Sequence, residues 1–148
     1  MVGGGQLARM TCQAAIPLGV RLQVLVEGRQ DSAAQVASRV VTGSHRDLTD
    51  LRRFAEGCDV ITFDHEHVPA EHLRALEQDG VTVRPGSSAL AHAQDKGVMR
   101  ARLGQIGVPA PRWCAVAGVA DVERLAEQTG WPVVLKTARG GYDGRGVR

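Results

Sequence analysis

The sequence predicts an α/β protein built on a parallel sheet with helices on both faces, and three observations predict it. Short branched runs, Val20 to Val26 and Val60 to Phe63, alternate with segments whose apolar residues recur at helical spacing. Proline and glycine mark the passages from one kind of segment to the other. Two glycine-rich stretches, at 3–8 and 140–147, have the low bulk of loops that approach a phosphate.

Each element follows from its residues. Leu7, Met10, Ala14 and Ala15 share one face of a first helix, and Leu48, Leu51, Phe54 and Ala55 that of a second. Pro69 suits the first turn of a third, whose apolar side is Leu73 and Leu76, and Gly80 follows its last turn, so the helix should run over 69–79. Val40–Val41 and Val81–Val83 read as further short strands. Beyond Pro85-Gly86 the pattern turns helical, through Leu90 and then Val98, Met99, Leu103 and Ile106 to Gly107. Trp113 to Val116 and Val133 to Lys136 are expected as strands, Ala120 to Thr129 as a helix with Val122, Leu125 and Ala126 inward, and Trp113 and Trp131 as core anchors. Only Met1 and Val2 precede the first glycine turn, where a full strand would normally stand, so chain is expected to be missing there and beyond Arg148.

Composition bounds the function. The 148 residues suffice for one domain and part of a second, and at 43% hydrophobic and 23% charged they belong to a globular protein. A net charge of +2 with both signs interleaved offers no basic stripe for nucleic acid. Cys12, Cys58 and Cys114 lie far apart, with neither metal-ligand nor disulfide spacing, and no apolar run approaches the roughly 18 residues of a membrane span. A reducing cytoplasm fits these features.

The two glycine loops carry the chemistry. Gly3-Gly4-Gly5-Gln6-Leu7-Ala8 fits G-x-G-x-x-G/A, and Glu27 ends the next strand where a ribose-binding acid would stand, which is the pattern of a dinucleotide site. The physics is more general, because a tight turn opening a helix presents free N–H groups to any phosphate-bearing substrate. The second loop is sharper. Lys136 closes an apolar run, and Gly140, Gly141, Gly144 and Gly146 follow within a few residues, giving a pliant flap beside a strand-terminal ammonium.

This order of strand, lysine and glycine loop resembles the ATP-grasp superfamily. Its particular words, GGGQLARM at 3–10, ITFDHEHVP at 61–69, VRPGSSAL, QDK at 94–96, GVPAP at 107–111 and VLKTARGGYDGRGV at 134–147, are similar to those of the 5-(carboxyamino)imidazole ribonucleotide synthase family. The resemblance implies a Rossmann-like pre-ATP-grasp domain over 1–93 and a truncated first part of an ATP-grasp domain over 94–148. It implies a homodimeric ligase that uses ATP, magnesium and bicarbonate to carboxylate the amine of aminoimidazole ribonucleotide, with its metal ligands outside this chain. Carried over position by position, Lys96, Lys136, Gly141, Tyr142, Gly144, Arg145, Gly146 and Val147 would contact ATP. Gly5, Gln6, Leu7, Asp64 and Glu66 would line the ribonucleotide site, and Asp143 would orient the amine. Ala8 stands where the family often has glycine, and Asp64 where it usually has glutamate, which makes Glu66 the stronger candidate for a direct hydroxyl contact.

Other assignments compete. A formate-dependent glycinamide ribonucleotide transformylase or a biotin carboxylase would share flap and lysine, whereas an NAD-dependent oxidoreductase would explain Gly3 to Ala8 and Glu27 but leave Lys136 without a task. His65 and His67 share a strand face with no third ligand in view, Asp95 reads as a solvated charge at a helix start, and the 148-residue piece is expected to turn over no ATP alone.

Overall fold

The computed structural model describes residues 1–141 and 144–148. It divides into two compact units, Met1–Leu90 and Ala91–Arg148.

In the first unit β1 (Gln23–Val26) and β2 (Arg39–Thr42) pair in parallel, with Val24 opposite Val40. Single parallel bridges widen this pair into an array: Val2 joins Leu25 on one side and Phe63 on the other, and Ile61 joins Val83. Hydrogen bonds of 2.7 Å from Val2 N–H to the Thr62 carbonyl and 2.9 Å from Gly3 N–H to the Leu25 carbonyl hold the central row. Counting rows along the chain as Val2, β1, β2, 61–63 and Val83, the spatial order is 3-2-1-4-5. Direction of winding reverses beside Val2, and in open sheets of this kind a ligand binds beyond the carboxyl ends of the rows flanking the reversal. Here those ends are Gly3–Gly5 and Asp64–His67. The stretches 60–63 and 81–83, expected as strands, contribute only bridges, and β1 begins at Gln23 rather than Val20.

Alternation along β1 separates two cores. Leu25 joins Val2, Leu51, Phe54, Leu73 and Leu76 on one face, where α2 (Leu48–Ala55) and α3 (Ala70–Gln78) lie. Val24 and Val26 join Met1, Ala8, Cys12 and Ala33 on the other, under α1 (Gln6–Ala15) and the 3-10 turn Ser32–Gln35. Both faces are therefore covered, which is what a parallel array requires. Leu51, Phe54, Leu73 and Leu76 are fully buried, and each such side chain contributes about 1.5–3 kcal/mol on leaving water.

Helix α1 departs from its expected face. Ala8, Cys12 and Ala15 are buried, whereas Leu7 and Met10 are 57% and 54% exposed. The reason is proximity: small side chains let the helix lie close over Val24 and Val26, where Leu7 or Met10 would hold it off. Helix α2 starts on Asp47, whose Oδ1 accepts the amides of Thr49 and Asp50 at 2.7 and 3.2 Å. Pro69 precedes α3 as its N-cap, and Gly80, at φ +84°, follows the helix.

Helix α4 (Ser87–Gln94) runs across the division between the units, with Leu90 in the core of the first, and the second unit continues with α5 (Lys96–Gln105) and α6 (Val119–Thr129). Among its described residues Ala126 is buried and the large apolar side chains are at least partly exposed. Trp131 is 69% exposed and Trp113 is exposed as well, so neither anchors a core here. The strands expected at 113–116 and 133–136 are absent, and Val134 and Leu135 are exposed. A strand needs a neighbour for its backbone groups, and among the described residues only 146–148 runs beside 135–137. Leu135 and Arg148 exchange two hydrogen bonds of 2.8 Å, and Lys136 bridges Val147 antiparallel.

Candidate functional site

At the reversal of the first unit the glycine turn and the end of the fourth row are interlocked. Gly3 has φ +114°, and a Cβ there would stand 1.6 Å from Asp64 Oδ1, so only glycine fits. A Cβ on Gly4 would meet Val26 Cγ1 at 2.7 Å and Asp31 Oδ2 at 2.8 Å. Gly5, the N-cap of α1, donates its amide hydrogen to Asp64 Oδ2 at 2.9 Å. A carboxylate from the neighbouring row thus takes the place at the helix N-terminus that the sequence pattern offers to a phosphate. The side chain of Asp64 is only 5% exposed, and its Oδ1 has no hydrogen-bond partner.

Beside this turn opens a cleft of about 380 Å³ walled in part by Gly4, Glu27, Asp31, Ser32, His45 and His65. His45 Nδ1 lies 3.2 Å from Glu27 Oε1, and the His45 and His65 rings meet edge to face at 4.8 Å between centroids. His65 stacks on His67 and accepts the His67 amide hydrogen at Nδ1, 3.1 Å away, so its own proton is on Nε2. Both His45 and His65 titrate below the ordinary histidine value. Burial is the main cause for each; the charge of His65 adds to it at His45, and Asp64 partly offsets it at His65. Two carboxylates, neutral imidazoles and a glycine turn suit hydroxyl groups, which both donate and accept, better than a bare phosphate. Among the described residues no group of three or more His, Cys, Asp or Glu is arranged to hold a metal ion.

Several predicted residues are brought to this place. Gln6 Oε1 accepts the Ser32 hydroxyl at 3.1 Å, and Arg9 ties α1 to the same 3-10 turn through the Ser32 carbonyl at 3.1 Å. Leu7 faces outward and Glu66 is half-buried. Glu27, the acid of the dinucleotide pattern, is engaged by His45 and, at 3.5 Å, by the Ser44 hydroxyl.

In the second unit the Lys136 loop folds back on itself. Thr137 N–H donates to the Gly146 carbonyl at 2.9 Å, and a Cβ on Gly146 would meet Thr137 Oγ1 at 2.8 Å. Gly141 is as tight, with a would-be Cβ 2.6 Å from the Arg145 carbonyl, and both glycines have positive φ, as does Gly144. Lys136 is exposed, as are Arg145 and Val147. Lys96, 44 residues before Gly140, reaches this loop, its Nζ donating to the Gly140 carbonyl at 2.8 Å and its backbone N–H to the Ala138 carbonyl at 2.9 Å. Tyr142 and Asp143 lie outside the described residues.

Sequence reasoning passed over His45, Asp31 and Arg139. Each acts through a partner distant along the chain or through a packed neighbour, which periodicity does not register. Asp95 did carry a signal, since an aspartate directly before a helix is a preferred N-cap, and its Oδ1 accepts the amides of Gly97 and Val98 at 2.9 and 3.1 Å.

Comparison with known proteins agrees with this geometry. Residues 1–94 match the family of the ribonucleotide synthetase preATP-grasp domain, and residues 101–148 match the ATP-grasp domain. An N5-carboxyaminoimidazole ribonucleotide synthase of Mycobacterium bovis is 58% identical over 148 residues, which are 100% of this chain and 34% of that protein. A crystal structure of an N5-carboxyaminoimidazole ribonucleotide synthetase in complex with ADP superposes with a TM-score of 0.89 at 32% identity, over 99% of this chain and 38% of that one. The synthase of Aspergillus clavatus, solved with ADP and 5-aminoimidazole ribonucleotide, gives 0.83 at 30% identity, over 99% of this chain and 39% of that one. The chain therefore spans about a third of the length of the curated relatives it matches. With its reversed parallel array, its braced glycine turn and a family match over 1–94, the chain belongs to the ribonucleotide synthetase preATP-grasp family, and from residue 101 it carries ATP-grasp sequence.

Proposed function

We propose that this chain serves a ligase that carboxylates 5-aminoimidazole ribonucleotide at the expense of ATP. In that reaction bicarbonate takes the terminal phosphoryl group of ATP to give carboxyphosphate and ADP. The exocyclic amine then forms a bond to the carboxyl carbon, the carbon–oxygen bond to phosphate breaks, and the amine gives up a proton. N5-carboxyaminoimidazole ribonucleotide and inorganic phosphate result.

One observation carries the proposal: Lys96 lies on the glycine-rich loop that Lys136 opens, its ammonium 2.8 Å from the Gly140 carbonyl. Two cations and the backbone amides of that loop would offset the charge of a nucleotide's terminal phosphates, and closing a low-bulk loop over them would keep water from carboxyphosphate. Gly141, Gly144, Arg145, Gly146 and Val147 belong to this ATP contact, and the family resemblance adds Tyr142 to it. The ribonucleotide takes the cleft at Gly5, Gln6 and Leu7, where Glu66 serves a ribose hydroxyl and Asp64 holds the turn. Asp143 orients the amine. Magnesium accompanies ATP, and no step above is assigned to it, because the described residues offer it no ligand cluster. The domains divide at 93/94, and the enzyme is a cytoplasmic homodimer; the three free cysteines suit a reducing compartment.

The test is ligand protection and turnover in the full-length protein. Mg-ATP should raise the melting temperature and NADH should not, and ADP release should require both bicarbonate and 5-aminoimidazole ribonucleotide. Protection by NADH alone would overturn the ligase assignment. ADP release with glycinamide ribonucleotide and formate instead would move the protein to the transformylase branch.

A further inference from the structure

We propose that Asp95 is a positioning residue for the nucleotide's phosphates, tying the start of α5, and Lys96 with it, to the arm of the glycine-rich loop through Arg139. The proposal deepens the ligase assignment and rests on it.

Asp95 uses its two carboxylate oxygens for two tasks. Oδ1 caps α5 on the amides of Gly97 and Val98, while Oδ2 accepts from Arg139 Nε at 3.0 Å. The bonds from Val98 and Arg139 hold its carboxyl below the usual aspartate range. Its neighbour supplies two more ties, from Lys96 N–H to the Ala138 carbonyl and from Lys96 Nζ to the Gly140 carbonyl. Residues 95 and 96 thus hold 138, 139 and 140, three consecutive positions of the arm that leads from Lys136 into the glycines.

A capping role alone would use one oxygen and leave Arg139 free. An exposed ion pair contributes little to stability, about 0–1 kcal/mol in general, so the reason for the second contact is geometric. The lysine ammonium rides on a flexible four-carbon stem, and where it can reach depends on how its backbone is placed against the loop. Asp95 sets that placement. An ammonium has three donors, so Lys96 can keep the Gly140 carbonyl and still meet a phosphate oxygen.

Asparagine separates the two tasks, since it caps a helix as well as aspartate does but carries no charge for Arg139. In the full-length ligase, D95N and R139A should each raise the KM for ATP about tenfold with kcat within about twofold, in keeping with the cost of misplacing a binding group. The double variant should be no worse than either single one, the signature of a shared contact, and R139K should recover to within about threefold of wild type. D95N should keep its melting temperature to within about 2 °C, because the cap persists. If D95N and R139A leave the KM for ATP unchanged while K96A raises it, the positioning role is wrong and the ligase assignment stands. An effect in D95N without one in R139A, or a double variant whose effects add, also overturns it. If K96A changes nothing either, the nucleotide site itself is misassigned.

Discussion

Asp64 accepts the amide hydrogen of Gly5 through Oδ2 at 2.9 Å, across 59 residues of chain. An aspartate at the end of one row thereby caps the helix that leaves another, and its charge complements the positive end of α1. Removing the carboxylate in D64A should lower the stability of this chain by about 1–2 kcal/mol, the usual cost of losing a cap with a buried partner. D64N should lose less, because an amide oxygen still accepts. Urea denaturation of the 148-residue chain measures both, and an unchanged midpoint in D64A would show that the contact does not stabilise the fold.

Gly3 should be the least replaceable residue of the turn. With φ +114° and a would-be Cβ 1.6 Å from Asp64 Oδ1, G3A meets backbone strain and a steric clash together and should cost more than about 2 kcal/mol. Gly19 is a fair control, because at φ +66° it has nothing within 4 Å of the same atom. G19A should therefore cost only the left-handed backbone penalty, about 1 kcal/mol. Equal losses in the two variants would mean that the turn yields to the added methyl.

Acid should weaken the first unit through its histidines. His45 and His65 titrate below the ordinary value of 6.5 because burial disfavours their charged forms. The unfolded chain therefore takes up protons first as pH falls. Their contribution is complete above 6.5 and is lost as pH drops through the lower folded values. The urea midpoint should decline between about pH 7 and 5, and the decline should flatten in the H45Q/H65Q double variant. A slope unchanged by the double substitution would assign the effect to other groups.

Gly146 and Gly144 should differ although both have positive φ. A Cβ on Gly146 would meet Thr137 Oγ1 at 2.8 Å, whereas one on Gly144 meets nothing within 4 Å. In the full-length ligase G146A should reduce kcat/KM for ATP by at least about tenfold and G144A by clearly less. Lys136→Ala should reduce ATP use sharply without unfolding the protein, since its side chain is exposed. Unchanged kinetics in K136A would remove Lys136 from the nucleotide site.

How much of this was legible depended on the range of the interaction. Helices α2 and α3 could be read from spacing because each buries one face of its own periodic pattern, and in α6 the same spacing marks Ala126, which is buried, with Val122 and Leu125, which are half-buried. The face of α1 could not, since Ala8 and Cys12 are chosen by the closeness of β1, and a scale of side-chain size favours Leu7 and Met10 instead. Val133 to Lys136 looked like a buried strand by composition, yet composition does not supply a neighbouring backbone. Among site residues, Lys96, Lys136 and both glycine loops stood out as local words, while the partnership of Asp95 with Arg139 joins positions 44 apart that no local pattern links.

By itself the sequence determined the α/β class, the two glycine loops and the family resemblance, because dihedral freedom, periodicity and short motifs are properties of neighbouring residues. Only the tertiary structure decided that Asp64, not a ligand, meets the Gly5 amide, that three imidazoles gather beside the turn, and that Asp95 and Lys96 grip the arm of the second loop. Those pairings depend on which chain segments the sheet and helices bring within about 3 Å of one another, the distance at which a hydrogen bond forms, and that distance is set by packing and not by order along the chain.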